Sequence, residues 1–284
     1  MTRDGAGTAN GSVHVIQKSA RILDCFSVAT PRLQASEIVR RTGMPASTVA
    51  RILRTLVRED LLQRQGTVYS IGLRSVVWSS AAMAASALIA AARPLVAALR
   101  DQHGECSALE VRQGGRRVTV LWEQSKHSIV DWGYVGQVNP LQGSAAGKVF
   151  MAYEPQVLHL VIEEGLVART PKTVVDPVVL RDQLRLVRER GWAFAEEERE
   201  LGLSCLAVPV LGCDDSVTAA VSVGGPAHRL TGARLEEIVH ETKECALAIS
   251  HGQAWRVSAR PVPAVAAREK SSSPAGESQQ SLPL

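Results

Sequence analysis

The stretch QASEIVRRTGMPASTVARILRTLVRED, residues 34–60, decides the fold of the first part of this chain. Its pattern predicts two short helices joined by a tight turn. Apolar residues at Ala35, Ile38 and Val39 give the first helix one apolar side. Gly43 suits a helix end in the left-handed region, and Pro45 fits the first turn of a new helix, where its missing N–H costs nothing.

The second helix of this pair combines an apolar face with a basic one. Its apolar stripe follows the i, i+3, i+4, i+7 spacing, and consists of Val49, Ile52, Leu53 and Leu56. At about 100° per residue, the opposite side carries Ser47, Arg51, Arg54 and Arg58. A DNA recognition helix needs both faces, because one docks on the domain and the other reaches phosphates and base edges. A solvated basic face on an ordinary helix hairpin is the alternative interpretation.

A hairpin signal follows the helix pair. Gly66 separates two short strand-like runs in QRQGTVYSIG, so the order becomes two helices and then a hairpin. This order predicts a winged helix-turn-helix, although the hairpin could instead be a structural lid on the helices. The residues expected to contact DNA are Ser36, Ala46, Ser47, Thr48, Arg51, Arg54, Arg64 and Thr67.

Charge is distributed unevenly along the 284 residues. The formal net charge is +4, but residues 13–75 hold ten Lys and Arg against four Asp and Glu, which gives that segment +6. A basic small domain on a nearly neutral remainder favours a polyanionic partner for the first part only. The five cysteines form no CxxC pair, and residues 1–11 lack an apolar signal core, so a reducing, cytoplasmic location is expected.

An uncharged, alanine-rich run occupies residues 75–92. A membrane span needs roughly 20 predominantly apolar residues, whereas this run is short and mostly Ala and Ser. We interpret it as a linker helix that also packs against a partner subunit, and we expect no membrane association. The expected organisation is a disordered start (1–12), a winged helix-turn-helix domain (13–74), the linker helix (75–92), a second domain (93–252) and a disordered tail (253–284).

The second domain has the pattern of an α+β fold with an antiparallel sheet. Strands are predicted over 106–112, 116–123, 128–134, 192–196, 204–211 and 217–224. Helices are predicted over 94–103, 144–153, 155–164, 176–190 and 231–250, and a first helix of the winged domain over 15–28.

Several motifs in this order resemble the IclR family of bacterial transcriptional regulators. The resemblance rests on ASEIVRRTGMPASTVARILRTL, PLQGSAAGKVFMA, GWAFAEEERELGLSCLAVPV and AAVSVGGPAHRLT, and covers about residues 13–250. It implies a winged-helix domain, a linker helix and a GAF-like effector-binding domain, assembled as a homodimer or homotetramer on double-stranded operator DNA. The chain departs from the family in a shorter wing and in Gln34, which stands where a Ser or Thr often caps the helix.

The segment GSAAGKV, residues 143–149, imitates a phosphate-binding loop but lacks its first glycine and its final hydroxyl. Small residues before a helix N-terminus still suit an anion, so an effector carboxylate is expected on the backbone of residues 144–146. The alternative is a tight turn that uses small residues for packing. By the resemblance, the effector-binding residues are Gly143, Ser144, Ala145, Ala146, Ala195, Leu203, Cys205, Ser222 and Gly224. Trp132 and Tyr134, on the predicted third strand, are expected to add aromatic walls, with a place in the core as the alternative. Ala195 and Gly224 replace polar residues common in the family, so a pocket of low polarity is expected, for an aromatic or larger carboxylic acid.

Catalytic interpretations find little support in the sequence. Cys205 has no histidine motif beside it, and a buried cysteine is usually inert. The three residues of Glu196–Glu198 would alternate across a strand, which favours a solvated acidic edge over a metal site. No cofactor is expected. The leading function is a ligand-responsive transcriptional regulator of a catabolic operon. The alternatives are a constitutive DNA-binding oligomer without an effector and an enzyme anchored to DNA.

Overall fold

A computed structural model describes residues 13–127 and 133–252. These residues form two compact units, divided between Ser86 and Ala87. We call them the N-terminal unit and the C-terminal unit. The sequence prediction for Trp132 and the predictions for residues 1–12 and 253–284 lie outside the described residues.

The N-terminal unit is a small helical domain with a three-stranded antiparallel sheet in the order β1-β3-β2. Its elements are α1 (His14–Leu23), β1 (Arg32–Gln34), α2 (Ala35–Thr42), α3 (Ala46–Arg58), β2 (Leu62–Gln65), β3 (Val68–Ile71) and α4 (Arg74–Ala85). Strand β1 was absent from the sequence prediction. It adds a third strand to the hairpin of the wing. Leu33 of β1 pairs with Tyr69 of β3, and both side chains are buried.

The helix pair α2–α3 follows the predicted pattern closely. Gly43 ends α2 in the left-handed conformation, with φ of 65°. Pro45 precedes α3 as its N-cap rather than lying in its first turn. At the start of α2, the Glu37 carboxylate accepts a hydrogen bond of 2.9 Å from the Gln34 N–H, so part of the capping expected of a Ser or Thr is supplied from the third helical position.

The core of the N-terminal unit forms where α3 meets α1 and α2. The predicted stripe of α3 is buried in full, and Ile22 of α1 and Ile38 of α2 complete the cluster around it. Helix α1 ends at Leu23, not at residue 28 as predicted, and its first turn leaves Val15 and Ile16 exposed. The apolar pattern used to predict the first helix therefore included Val15 and Ile16, which do not face this core.

The alanine-rich run does not form a single linker helix over residues 75–92, so that prediction is wrong. Helix α4 ends at Ala85, Ser86 takes an extended conformation, and α5 begins at Ala87 and continues through Pro94 to His103. A helix that begins at Pro94 was also predicted, but Pro94 lies inside α5. Within the described ranges no single helix is long and apolar enough to cross a membrane; α4 and α5 meet that test of length and composition only when joined across their break.

The C-terminal unit is the predicted α+β domain, built on a six-stranded antiparallel sheet in the order β6-β5-β4-β9-β8-β7. The strands are β4 (Cys106–Gln113), β5 (Arg116–Glu123), β6 (Val138–Pro140), β7 (Ala193–Glu196), β8 (Leu203–Leu211) and β9 (Val217–Pro226). The helices are α5, α6 (Ala145–Tyr153), α7 (Pro155–Glu164), α8 (Pro177–Arg190) and α9 (Gly232–Gly252), with a short 3₁₀ turn over Ala227–Arg229.

The edge strand differs from the sequence prediction. A strand was predicted over 128–134, but Gly133 and Tyr134 lie in no strand, and residues 128–132 are outside the described ranges. The edge strand is instead Val138–Pro140, which pairs with β5 through Val118.

Helix α6 packs on the sheet face that carries Ala195, Ala207 and Ala220. Small side chains there let the helix approach the strands closely. Because successive strand residues point to opposite faces, the neighbouring Leu206 and Val221 point the other way, and they are also fully buried. Helix α9 packs on β8 and β9, helix α5 packs on β4 and β5, and the two helices pack on each other.

Candidate functional site

The exposed side of α3 presents the groups expected to contact DNA. Ala46, Ser47, Arg51 and Arg54 are exposed, and Thr48 is half-buried. Within the described residues, neither the Arg51 nor the Arg54 guanidinium makes a hydrogen bond or an ion pair. Two unengaged cations on a helix whose other face is anchored in the core form a surface suited to an anionic, grooved partner.

The wing adds a second basic point to this unit. Strands β2 and β3 are joined by the two-residue tip Gly66–Thr67, and Gly66 has φ of 61°. The Arg64 Nε donates to the Gly66 carbonyl at 2.7 Å, and its guanidinium lies 5.8 Å from the Tyr69 ring centroid. Arg64 and Thr67 are exposed, as is Ser36 in the first turn of α2. DNA contact by these side chains stays a prediction.

A cavity opens in the C-terminal unit between the sheet and the start of α6. The space between its lining residues, open mouth included, is about 650 Å³. Nine of the eleven residues predicted to bind an effector line it: Gly143, Ser144, Ala145, Ala146, Ala195, Leu203, Cys205, Ser222 and Gly224.

The N-terminus of α6 forms one end of this cavity. The Ser144 hydroxyl caps the helix, since it accepts from the Gly147 N–H at 3.0 Å and donates to the Leu141 carbonyl at 3.0 Å. In the part of the chain that the structure describes, the N–H groups of Ala145 and Ala146 have no acceptor. These unsatisfied donors, with the positive end of the helix dipole, suit an anion.

Of the two residues predicted for the aromatic wall of the cavity, Tyr134 does not contribute to it, and Trp132 lies outside the described residues. Tyr134 is half-buried in the turn before β6 and does not line the cavity. Trp122 of β5 lines it instead. The Gly133 backbone packs on that indole so closely that a Cβ there would lie 2.5 Å from the ring.

Alternation along β5 from Arg117 and Thr119 would have put Leu121 on this face. The β-bulge between β4 and β5 shifts the register, so that Trp122, paired with Ala108, lines the cavity instead.

The cavity wall also holds charged groups that the sequence prediction did not include. Glu110 and Arg117, on neighbouring strands β4 and β5, form a buried ion pair in its wall, and Thr119 and Gln137 lie nearby. Burial, followed by the nearby Arg199 charge, lowers the pKa of Arg117 to about 10. Ala195 and Gly224 line the same cavity without a polar side chain, so its charged groups come from other positions in the wall.

Glu196–Glu198 was predicted to form a solvated acidic edge, and this prediction is wrong for Glu198. Glu196 is exposed and pairs with Lys172 at 2.7 Å, whereas Glu198 is buried, lines the cavity and pairs with the buried Lys148 of α6. The strand ends at Glu196, and Glu197 has φ of 52°, so the alternation assumed for three successive strand residues does not continue. Among the described residues no group of His, Cys, Asp and Glu is placed to hold a metal ion.

A winged helix-turn-helix joined to an α+β domain with an internal cavity defines a class of protein, the DNA-binding transcriptional regulators. Two family models match the chain: the IclR helix-turn-helix domain over residues 15–66 and the bacterial transcriptional regulator IclR C-terminal domain over residues 80–251. The chain belongs to the IclR family, and its family and fold class are as the sequence motifs predicted. It is a DNA-binding transcriptional regulator and not an enzyme.

The chain matches known transcriptional regulators over almost their whole length. The transcriptional repressor IclR of Escherichia coli (strain K12) is 29% identical over 250 residues, which cover 84% of this chain and 91% of the relative. The HTH-type transcriptional regulator BhcR of Paracoccus denitrificans is 30% identical over 251 residues, covering 87% and 90%.

Solved structures of the family share the fold. An IclR transcriptional regulator from Alicyclobacillus acidocaldarius superposes with a TM-score of 0.78 at 27% identity, covering 86% of this chain and 100% of the other. An IclR homologue from Microbacterium hydrocarbonoxydans, complexed with 4-hydroxybenzoate, superposes with a TM-score of 0.73 at 25% identity, covering 84% and 98%.

Proposed function

We propose that this protein is a ligand-responsive regulator of a catabolic operon, and that its effector is a small carboxylic acid, aromatic acids included. The observation that carries the proposal is the cavity at the N-terminus of α6, where the Ala145 and Ala146 N–H groups lack acceptors. An effector carboxylate on these donors would gain charge-assisted hydrogen bonds at a helix N-terminus. The 4-hydroxybenzoate complex of the Microbacterium hydrocarbonoxydans homologue supports this choice of chemistry.

The test is a thermal-shift screen of the full chain against aromatic and aliphatic carboxylates. A ligand at 100 times its Kd stabilises the folded protein by about 2.7 kcal/mol, which is readily detected as a rise in Tm. Each acid that stabilises the protein is then added to a complex with operator DNA. A change in operator affinity, in either direction, supports the proposal. If the acids bind but leave operator affinity unchanged, they are not regulatory effectors.

Arg51→Ala is expected to weaken operator binding by about 1–3 kcal/mol, the usual value of a bidentate contact to a base. The side chain is exposed and free of contacts within the described residues, so the folded state should keep its Tm. Fluorescence anisotropy with labelled operator measures the loss. Arg181→Ala, an exposed arginine on α8, is the matched control and should leave affinity unchanged. Equal affinities for the two variants would remove Arg51 from the DNA surface.

We further propose that the protein acts in the cytoplasm on double-stranded operator DNA as a homodimer or homotetramer. Helix α4 supports an oligomer because its first two turns expose Val76, Val77 and Trp78, and no residue of this helix is buried. Consecutive exposed apolar side chains of this size are unusual on a surface that faces water and are typical of an interface between subunits.

Val77→Glu is therefore expected to weaken subunit association by about tenfold or more, because it places an unpaired carboxylate in an apolar contact. Sedimentation velocity over a range of protein concentrations measures the shift from oligomer to monomer. Val178→Glu is the control, since Val178 is similarly exposed on α8, at 62% against 66% for Val77. An oligomer of unchanged stability in Val77→Glu would place the interface elsewhere.

A further inference from the structure

The wall of the cavity carries an excess cation. Four charged side chains line the cavity: Glu110, Arg117, Glu198 and Arg199. Each carboxylate already has a dedicated cation, Arg117 for Glu110 and Lys148 for Glu198. Arg199 is the remaining charge, and among the described residues its guanidinium makes no hydrogen bond or ion pair.

Arg117 is itself incompletely satisfied. Its side chain is 8% exposed, and its terminal nitrogen pairs with Glu110, yet the buried Nε has no hydrogen-bond partner within the described part of the chain. A buried, unpartnered guanidinium N–H is costly in an empty site, because its desolvation is not repaid. An acceptor that enters the cavity would remove this cost.

The two guanidiniums also repel each other. The charge of Arg199 is close enough to lower the pKa of Arg117, after the larger effect of burial. Glu110 neutralises only one of the two cations. An anion placed between Arg117 and Arg199 would relieve the repulsion and would meet several N–H donors in the planar arrangement that suits a carboxylate.

The same cavity thus has two places for an anion, the N-terminus of α6 and the pair Arg117–Arg199. The uncharged part of the lining is largely apolar and includes Ala108, Ala195 and Trp122. We propose that the effector is a dicarboxylate with an apolar or aromatic skeleton, whose second carboxylate binds Arg117 and Arg199. This inference rests on the proposed function, in which the first carboxylate binds at α6.

Isothermal titration of the full chain with paired acids tests the second anion site. Terephthalate is compared with p-toluate, and adipate with hexanoate, at equal ionic strength. In each pair a methyl group replaces one carboxylate with little change in size. The wild-type protein is expected to bind the diacid of at least one pair about tenfold or more tightly than its monoacid partner, the factor given by one charge-assisted hydrogen bond.

Three variants assign that preference to the arginine. Arg199→Met should reduce the diacid preference to near equality while leaving the monoacid affinity within about twofold. Arg199→Lys keeps the charge but loses the planar donor pair, so it should keep part of the preference. Arg181→Met, outside the cavity, should behave as wild type. Arg199 is half-exposed, so these substitutions are compatible with a folded unit, which circular dichroism checks directly.

Two results would overturn the inference. One is equal binding of diacid and monoacid by the wild-type protein; the other is a diacid preference that persists undiminished in Arg199→Met. If monoacids bind and change operator affinity, the proposed effector function stands although the dicarboxylate inference fails. If no acid binds while operator binding is intact, both the inference and the effector part of the proposed function fail.

Discussion

Lys148→Met is expected to lower the free energy of unfolding of the C-terminal unit by about 3–5 kcal/mol, the cost of leaving one partner of a buried ion pair alone. The Lys148 side chain is 3% exposed and that of Glu198 is 7% exposed. The ammonium also donates to the part-buried Phe194 carbonyl at 3.0 Å, so its removal takes a donor from that carbonyl as well as from the buried Glu198 carboxylate. Guanidinium denaturation followed by circular dichroism measures the loss.

A second variant separates the lost ion pair from lost packing. Lys148→Met combined with Glu198→Leu removes both charges, and replacing a buried pair by apolar groups is often nearly neutral, so most of the stability should return. Lys172→Met is the matched surface control, because Lys172 pairs with Glu196 and Glu197 but is 45% exposed. That loss should stay within about 1 kcal/mol. A Lys148→Met loss no larger than this would contradict the prediction.

Gly147→Ala is expected to cost about 3 kcal/mol and to abolish the response to the effector, since overpacking at a rigid site typically costs this much. A Cβ at residue 147 would lie 1.8 Å from the Leu141 carbonyl oxygen and 2.5 Å from its carbon. The clash is with backbone, which cannot rotate away as a side chain would. That carbonyl also accepts from the Ser144 hydroxyl, so relief of the clash would disturb the cap that positions the Ala145 and Ala146 N–H groups.

Gly224→Ala is the matched control for that prediction. Gly224 also lines the cavity, but the atom nearest to its added Cβ would be the Cys205 Cβ, at an ordinary 3.8 Å. Thermal unfolding and the carboxylate screen are run on both variants. Gly224→Ala should unfold near the wild-type Tm, whereas equal stability of the two variants would show that Leu141 moves aside at little cost.

Local patterns were sufficient to predict the helix pair and most of the sheet. The period of Val49, Ile52, Leu53 and Leu56 identified the buried face of α3, because a helix docked on a core must repeat its apolar side chains about every 3.6 residues. Strand and turn signals gave β5 its observed bounds, Arg116–Glu123, including the turn that precedes it. The family motifs added the small residues around Ser144, which the structure brings to one cavity.

The charged groups of the cavity could not be predicted in the same way. Glu198 and Lys148 are 50 residues apart, and Glu110 meets Arg117 only through the pairing of β4 with β5. Neither pair leaves a trace in local periodicity, because each depends on which side chains the completed fold places together. Glu198 was misplaced for a second reason, since the positive φ of Glu197 ends the strand alternation at that point.

The break at Ser86 was missed because the run around it has no amphipathic pattern. Alanine favours a helix on either side of the break, and the small, uncharged residues give no periodic signal that would show where one helix stops. Strand β1 was missed for its length, since three residues are too few to show alternation.

Helix α6 combines two N–H groups without an acceptor among the described residues, those of Ala145 and Ala146, with complete burial of its first eight residues. Residues 145–152 are all buried, and Phe150 and Met151 are among the most enclosed side chains of the unit. Close-packed interiors resist compression about as strongly as organic crystals do. A ligand that contacts Ala145 therefore cannot deform the helix at that point alone. It would instead shift α6 as a rigid body. Binding in the cavity would then be transmitted to every element that packs against α6.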